Sequence, residues 1–215
     1  MKDKPSEWVS ISDLMAGVMA VVMLLLVVSV LQKTYAEMKH KQEMEQGGVA
    51  QQKRIAEMLN DLKTSIDKQG ASNLMSFDAE NGRITLKDNI FEKGSACITP
   101  LAVQAFQNIE QRVILFLKNN QQVTLFVEGH TDSLPVSRPV TDFERFCTVY
   151  DDNFTLSAAR AREARKLLIP HLSETDARRL VVAGFGDSHP LKGVDPTDAQ
   201  NRRVEIQFSV QNEQK

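Results

Sequence analysis

Val123-Thr-Leu-Phe-Val127, continued by Glu128-Gly-His-Thr-Asp132, is the stretch on which the fold turns. Five apolar and β-branched residues in a row predict a buried strand. Gly129 breaks the run, and three polar side chains follow at the strand's end, where a chain leaves its sheet and becomes available for chemistry. Upstream, Thr99 to Leu117 carries Leu101, Phe106, Ile109, Val113 and Phe116 or Leu117 on one helical face, with Pro100 at a first-turn position. Earlier still, Leu74 to Phe77 and Arg83 to Leu86 flank Asn81-Gly82, a strong hairpin signal. Downstream, Leu156 to Leu168 reads as a second helix, Leu180 to Ala183 as a further strand and Val204 to Val210 as a final alternating one. This order predicts an α/β chain, an α+β two-layer sandwich with its helices on one face of the sheet.

The chain has 215 residues, enough for one folded core with accessory segments. Its net charge of -2 gives no general attraction to nucleic acid, so no direct nucleic-acid partner is expected. Near the N-terminus, Asp13 heads an apolar run, Leu14 to Leu31, in which only Gly17 and Ser29 lack a large or methyl side chain. As a helix, Trp8 to Leu31 would span about 36 Å, and its uncharged part reaches the roughly 18 apolar residues of a transmembrane segment. A cleaved signal peptide is the competing assignment, but the run exceeds a typical signal core and no small-residue cleavage site precedes the polar stretch. Lys2 and Lys4 on one side face Lys33, Lys39 and Lys41 on the other, so charge alone leaves the topology open. Gly47-Gly48 then interrupts the polar segment. Ile55, Leu59, Leu62 and Ile66 form a short heptad stripe, which fits either a dimeric coiled coil or one amphipathic helix resting on its own domain. Gln69 to Asn73 reads as a break. The expected layout is a flank and membrane helix over 1–32, a helical linker over 33–72 and a globular domain over 73–215.

Four segments of that domain carry a resemblance: Gly129-His-Thr-Asp132; Asn153-x-x-Leu156-Ser-x-x-Arg160-Ala161; Ala183-Gly-Phe-Gly-Asp187 with Pro190; and Asn201-Arg-Arg-Val204. In this order they resemble the OmpA-like peptidoglycan-binding domain, and Ile90-Phe-Glu-Lys-Gly-Ser95 is similar to that family's first strand and turn. The resemblance implies a pocket for the diaminopimelate of the wall stem peptide, with Asp132 meeting its ammonium and Arg160 its carboxylate. A zwitterionic end requires one acceptor and one fork-shaped donor, and Arg supplies bidentate geometry that Lys lacks. Asn153 and Leu156 would shape the pocket, with Thr131 and Arg203 beside it. The competing expectation is that Asp132 and Arg160 simply pair with each other.

No nucleophile accompanies His130 at recognisable spacing, so a structural, hydrogen-bonded histidine is expected in place of a catalytic one. His40, His171 and His189 show no ligand spacing; no metal, cofactor or enzymatic activity is predicted. Cys97 and Cys147 are free to pair in an oxidising compartment, holding the long connection Ser133 to Asp152 over the pocket, but two cysteines do not reveal their geometry.

Asp13 has a plain explanation, with Ser10 as helix cap and Asp13 in the favourable first turn. Yet an Asp heading a single membrane helix, followed by a helical segment and an OmpA-like domain, resembles the B subunits of MotB-type stators. The resemblance implies a B homodimer inside a ring of multi-span A subunits, Asp13 as proton carrier, a cytoplasmic N-terminus and a periplasmic C-terminal domain. Ala16 and Ala20 would permit close helix approach, Gly17 places no bulk one turn after Asp13 and Ser29 could bond near the far end, though the same small residues equally suit ordinary helix packing. A lone Asp suits a proton better than sodium, which wants several oxygens. The start Ile11-Ser-Asp-Leu-Met-Ala-Gly17 departs from flagellar members and looks more like the B proteins of the Zorya anti-phage defence system. A flagellar-type stator and a passive wall anchor are the alternatives.

Overall fold

The computed structural model describes residues 7–210, without the side chains of residues 7–10, 40–46 and 108. The expectations for Lys2 and Lys4, and for the side chains of Trp8, His40 and Lys41, lie outside the described residues. The chain divides into two compact units, residues 1–49 and 50–215.

The first unit is helical, built from the N-terminal part of α1 (Glu7–Lys68). The helix already includes Glu7 and the backbone of Ser10, so Ser10 is not its cap. Asp13 therefore lies in the second turn or beyond, where the favourable field of the helix end has faded. Residues Ile11–Lys39 are long and apolar enough to cross a membrane, and no residue of their most apolar window is buried within the chain. The expected interruption at Gly47-Gly48 does not occur, because the helix continues through both. Each glycine costs about 1 kcal/mol relative to alanine, which long helical flanks can carry.

The second unit begins at Ala50 and so takes in helix that the sequence assigned to a linker. Ile55, Leu59, Leu62 and Ile66 are at most 2 % exposed and belong to the same core as Phe106, Ile109 and Leu168. The heptad stripe is thus spent on its own domain, and a coiled coil cannot use those four side chains at the same time. The helix ends at Lys68 as expected. Gly70 has φ +70°, and the Ala71 and Gly70 amides donate to the Ile66 and Asp67 carbonyls, a paired closure that needs the left-handed conformation of glycine.

Among the described residues five strands, β1 (Met75–Asp78), β2 (Arg83–Lys87), β3 (Val123–His130), β4 (Leu180–Gly184) and β5 (Arg203–Val210), form one sheet in the order β1-β2-β5-β3-β4. The hairpin strands β1 and β2 pair antiparallel, with Phe77 opposite Ile84. β5 runs antiparallel to both β2 and β3, while β4 is parallel to β3. The strand expected around Ile90–Ser95 is instead a 3-10 turn over Asp88–Ile90, followed by a single bridge from Phe91 to Ile98.

Alternation decides which face is covered. Leu125 and Val127, with Val204, Ile206 and Phe208 and with Ile84 and Leu86, point into the core. Helix α2 (Pro100–Asn119) begins at Pro100, with Thr99 accepting the Ala102 amide as its cap, and covers this face with Phe106, Ile109, Val113, Phe116 and Leu117. Leu101 is exposed, contrary to the expected stripe, because the small Ala102 occupies the inward position one residue on.

Candidate functional site

Helix α4 (Asn153–Leu168) sets the site, and two glycines set α4. Gly129 and Gly184 are register partners on β3 and β4. A Cβ on Gly129 would meet the Ser157 carbonyl oxygen at 1.9 Å, and one on Gly184 would meet Ala158 at 2.6 Å. No other residue lets the helix backbone lie so close to the sheet. Ser157 ties the contact by accepting the Gly186 amide on its hydroxyl at 2.9 Å. The helix starts where Asp152 accepts the Thr155 amide at 2.6 Å, and that bond holds the Asp152 carboxyl below its usual range.

This placement buries Arg160 one turn beyond Leu156, at 2 % exposure. Its Nε donates to the Ser95 carbonyl at 3.0 Å, its Nη1 reaches Asp88 at 3.3 Å, and its guanidinium lies 5.1 Å from the Phe91 ring centre. Burial pulls its pKa below the ordinary value, and the Asp88 carboxylate opposes that shift. Asp132, at the end of β3, is also buried and receives Arg202 Nη1 at 2.6 Å and the Leu134 amide at 3.3 Å. Asp132 and Arg160 are therefore not partners of each other. Between them stand Arg202 and Asp88, joined at 2.9 and 3.0 Å. The Asp88 hydrogen bond, and then that of Asp132, hold Arg202 above its ordinary pKa.

All four ionised residues line one cavity of about 900 Å³, together with Asn153 and Leu156. Asn153 spends its amide on the Asp132 and Leu134 carbonyls, at 3.2 and 3.0 Å, so it fixes the turn that presents Asp132. The long Ser133–Asp152 connection builds a wall of the same cavity, through Pro135, Val140 and Tyr150 among others. It contains the short helix α3 (Phe143–Phe146) and is held by a disulfide between Cys97 and Cys147, by a Val140–Tyr150 bridge and by the Tyr150 hydroxyl donating to the Gly94 carbonyl at 2.6 Å. Ser95 links the two halves: its hydroxyl donates to the Phe146 carbonyl, and its own carbonyl holds Arg160.

Thr131 and Arg203, expected beside the pocket, do not line it. Arg203 turns to the other face of the sheet, where it meets Glu205 at 2.7 Å and the His189 carbonyl at 3.3 Å. The Thr131 hydroxyl is buried without a partner. Arg202 takes the place assigned to Arg203. Strand alternation separates such neighbours onto opposite sides, and β5 begins at Arg203, so the motif alone left a one-residue choice.

His130 differs from its expected hydrogen-bonded role as well. It is 4 % exposed, neither ring nitrogen has a partner, and the ring stacks on Phe185 at 5.4 Å. Burial, reinforced by the Arg203 charge, pulls its pKa down to about 4. Ligand atoms of Glu128, His130 and Glu205 fall within 4.8 Å of one another. Of these, Glu205 already has both oxygens taken, by Arg203 at 2.7 Å and Arg83 at 3.0 Å.

A cavity presenting a buried guanidinium and a buried carboxylate suits a small ligand end carrying both charges. The OmpA family model matches residues 90–203. Zorya protein ZorB of Escherichia coli is 26 % identical over 223 residues, covering 97 % of this chain and 89 % of that protein. A MotB-like protein from Desulfovibrio vulgaris shares the fold with a TM-score of 0.54 at 19 % identity, over 76 % of this chain and 99 % of that one. The cell wall anchor of the T6SS from Pseudomonas aeruginosa does so with a TM-score of 0.51 at 24 % identity, over 71 % and 97 %.

Proposed function

This chain belongs to the OmpA family, and from that premise we propose that it is the wall-anchored B subunit of a proton-driven inner-membrane motor complex of the Zorya anti-phage kind. Two copies stand inside a ring of multi-span A subunits, each with its N-terminus in the cytoplasm and residues 50–215 in the periplasm. The Cys97–Cys147 disulfide supports the oxidising side for that unit. The cavity takes the diaminopimelate of a stem peptide, with Arg160 receiving its carboxylate and Asp132 its ammonium.

Asp13 is the proton carrier, and its place in α1 is the observation that carries the proposal. It lies beyond the first turn, at the head of an apolar segment none of whose residues is buried in the chain, and among the described residues neither a cap nor an ion pair explains it. A carboxylate there is costly unless it is used. Protonation neutralises it and favours its burial against a neighbouring A subunit, while deprotonation returns it to polar groups there. Cycling between the two states under a proton gradient biases one arrangement of the complex over the other, and the wall-bound domain holds B still.

Asp13→Asn keeps the size and removes the titration. In cells carrying the complete system, it is expected to abolish protection from phage at wild-type expression. Full protection would leave a passive anchor. Wall binding has its own measurement: Arg160→Ala is expected to reduce sedimentation with purified peptidoglycan at least tenfold, on the usual cost of losing a buried charge-assisted contact. Unchanged sedimentation would place the wall contact elsewhere.

A further inference from the structure

Within the cavity, the four charges form a chain in a fixed order: Asp132, Arg202, Asp88, Arg160. The inner pair presents a cation to Asp132 and a carboxylate to Arg160, the same two charges that a zwitterionic ligand end would present. We infer that Asp88 and Arg202 are a built-in stand-in for the ligand, and that binding is an exchange of partners; this rests on the wall-binding assignment of Asp132 and Arg160.

Geometry requires the exchange. The side chains of Arg160 and Asp132 are only 3 % and 8 % exposed, so an incoming carboxylate or ammonium reaches them by taking the place of Asp88 or Arg202. The displaced groups are not stranded, because Arg202 and Asp88 keep their contacts of 2.9 and 3.0 Å with each other, in a more exposed position. All four ionised residues thus keep a partner of opposite charge when the ligand carries both charges. A ligand with one sign of charge breaks a single outer link and leaves the other in place, so the four-membered chain, neutral on its own, then carries an excess charge in a partly buried site. Asp88 and Arg202 therefore set specificity: they reject simple amines and simple carboxylates, at a cost in affinity for the correct ligand. The chain also keeps Asp132 and Arg160 from the long-term burden of unpaired burial before the wall is met.

The test is calorimetric titration of the full-length chain in detergent with free meso-diaminopimelate, and with pimelate and cadaverine as probes carrying one sign of charge. Asp88→Asn combined with Arg202→Gln removes the stand-in without changing net charge. Diaminopimelate is expected to bind this double variant about tenfold tighter than wild type, and pimelate, rejected by wild type, to gain affinity. A folded double variant that binds diaminopimelate equally or more weakly overturns the inference, as does wild-type binding of pimelate or cadaverine within threefold of diaminopimelate. If a thermal melt shows the double variant unfolded, Asp88→Glu with Arg202→Lys keeps the charges and alters their reach; an affinity within threefold of wild type then overturns it. Arg160→Ala separates the two levels, since diaminopimelate binding that survives this change refutes the site itself, whereas its loss leaves the partner exchange to be judged on the other variants.

Discussion

Arg202 and Arg203 are identical in chemistry and adjacent in sequence, yet one closes the cavity and the other braces the opposite face of the sheet. Composition cannot distinguish them; the pleat does. His130 makes a similar point about polarity, for its neighbours suggested a hydrogen-bonded ring and the fold instead gives a neutral one stacked on Phe185. With the folded pKa pulled to about 4, below the ordinary value of 6.5, the unfolded chain takes up the proton first. Stability from this residue is therefore complete above pH ~6.5 and is lost as pH falls toward ~4, by up to about 3 kcal/mol. Burial raises the Glu128 carboxyl, an effect of opposite sign that offsets part of the slope. Urea midpoints measured across this range should fall with acid in the wild type and much less in His130→Phe. An equal slope in both would assign the acid sensitivity to other groups.

Among elements, the hairpin, both long domain helices and the three remaining strands were legible because period and punctuation agreed: Asn81-Gly82 at the turn, Pro100 behind Thr99, alternation through Val204 to Val210. Contacts made at long range were not. The stripe Ile55, Leu59, Leu62 and Ile66 has the same spacing whether it meets another helix or its own sheet, and only the fold shows that the domain consumes it. Nor does sequence reveal that Asp88, in a short turn 72 residues before Arg160 and 114 before Arg202, completes the ion chain. The glycine pair Gly129 and Gly184 is the device that brings the motifs together, since it lets α4 approach until Arg160 reaches the cavity. Gly129→Ala places a methyl group against a backbone carbonyl that cannot rotate away. It should destabilise the chain by about 4 kcal/mol or more, read from denaturant midpoints, and should lower peptidoglycan binding through the displaced helix. A variant with unaltered stability would contradict the close packing.

The whole molecule joins two chemistries that have no need of each other locally. A protonatable group heads an apolar helix, and a charge-paired cavity sits in a domain of the OmpA family. Their presence in one chain makes sense if the cavity resists a force that the helix helps to generate. The most direct measurement is proton entry into vesicles holding this chain with its A subunit, followed by a pH-sensitive dye under an imposed gradient. Wild-type vesicles should acidify, and those with Asp13→Asn should not, at equal protein content. Equal acidification by both would contradict the assignment of Asp13 as the proton carrier.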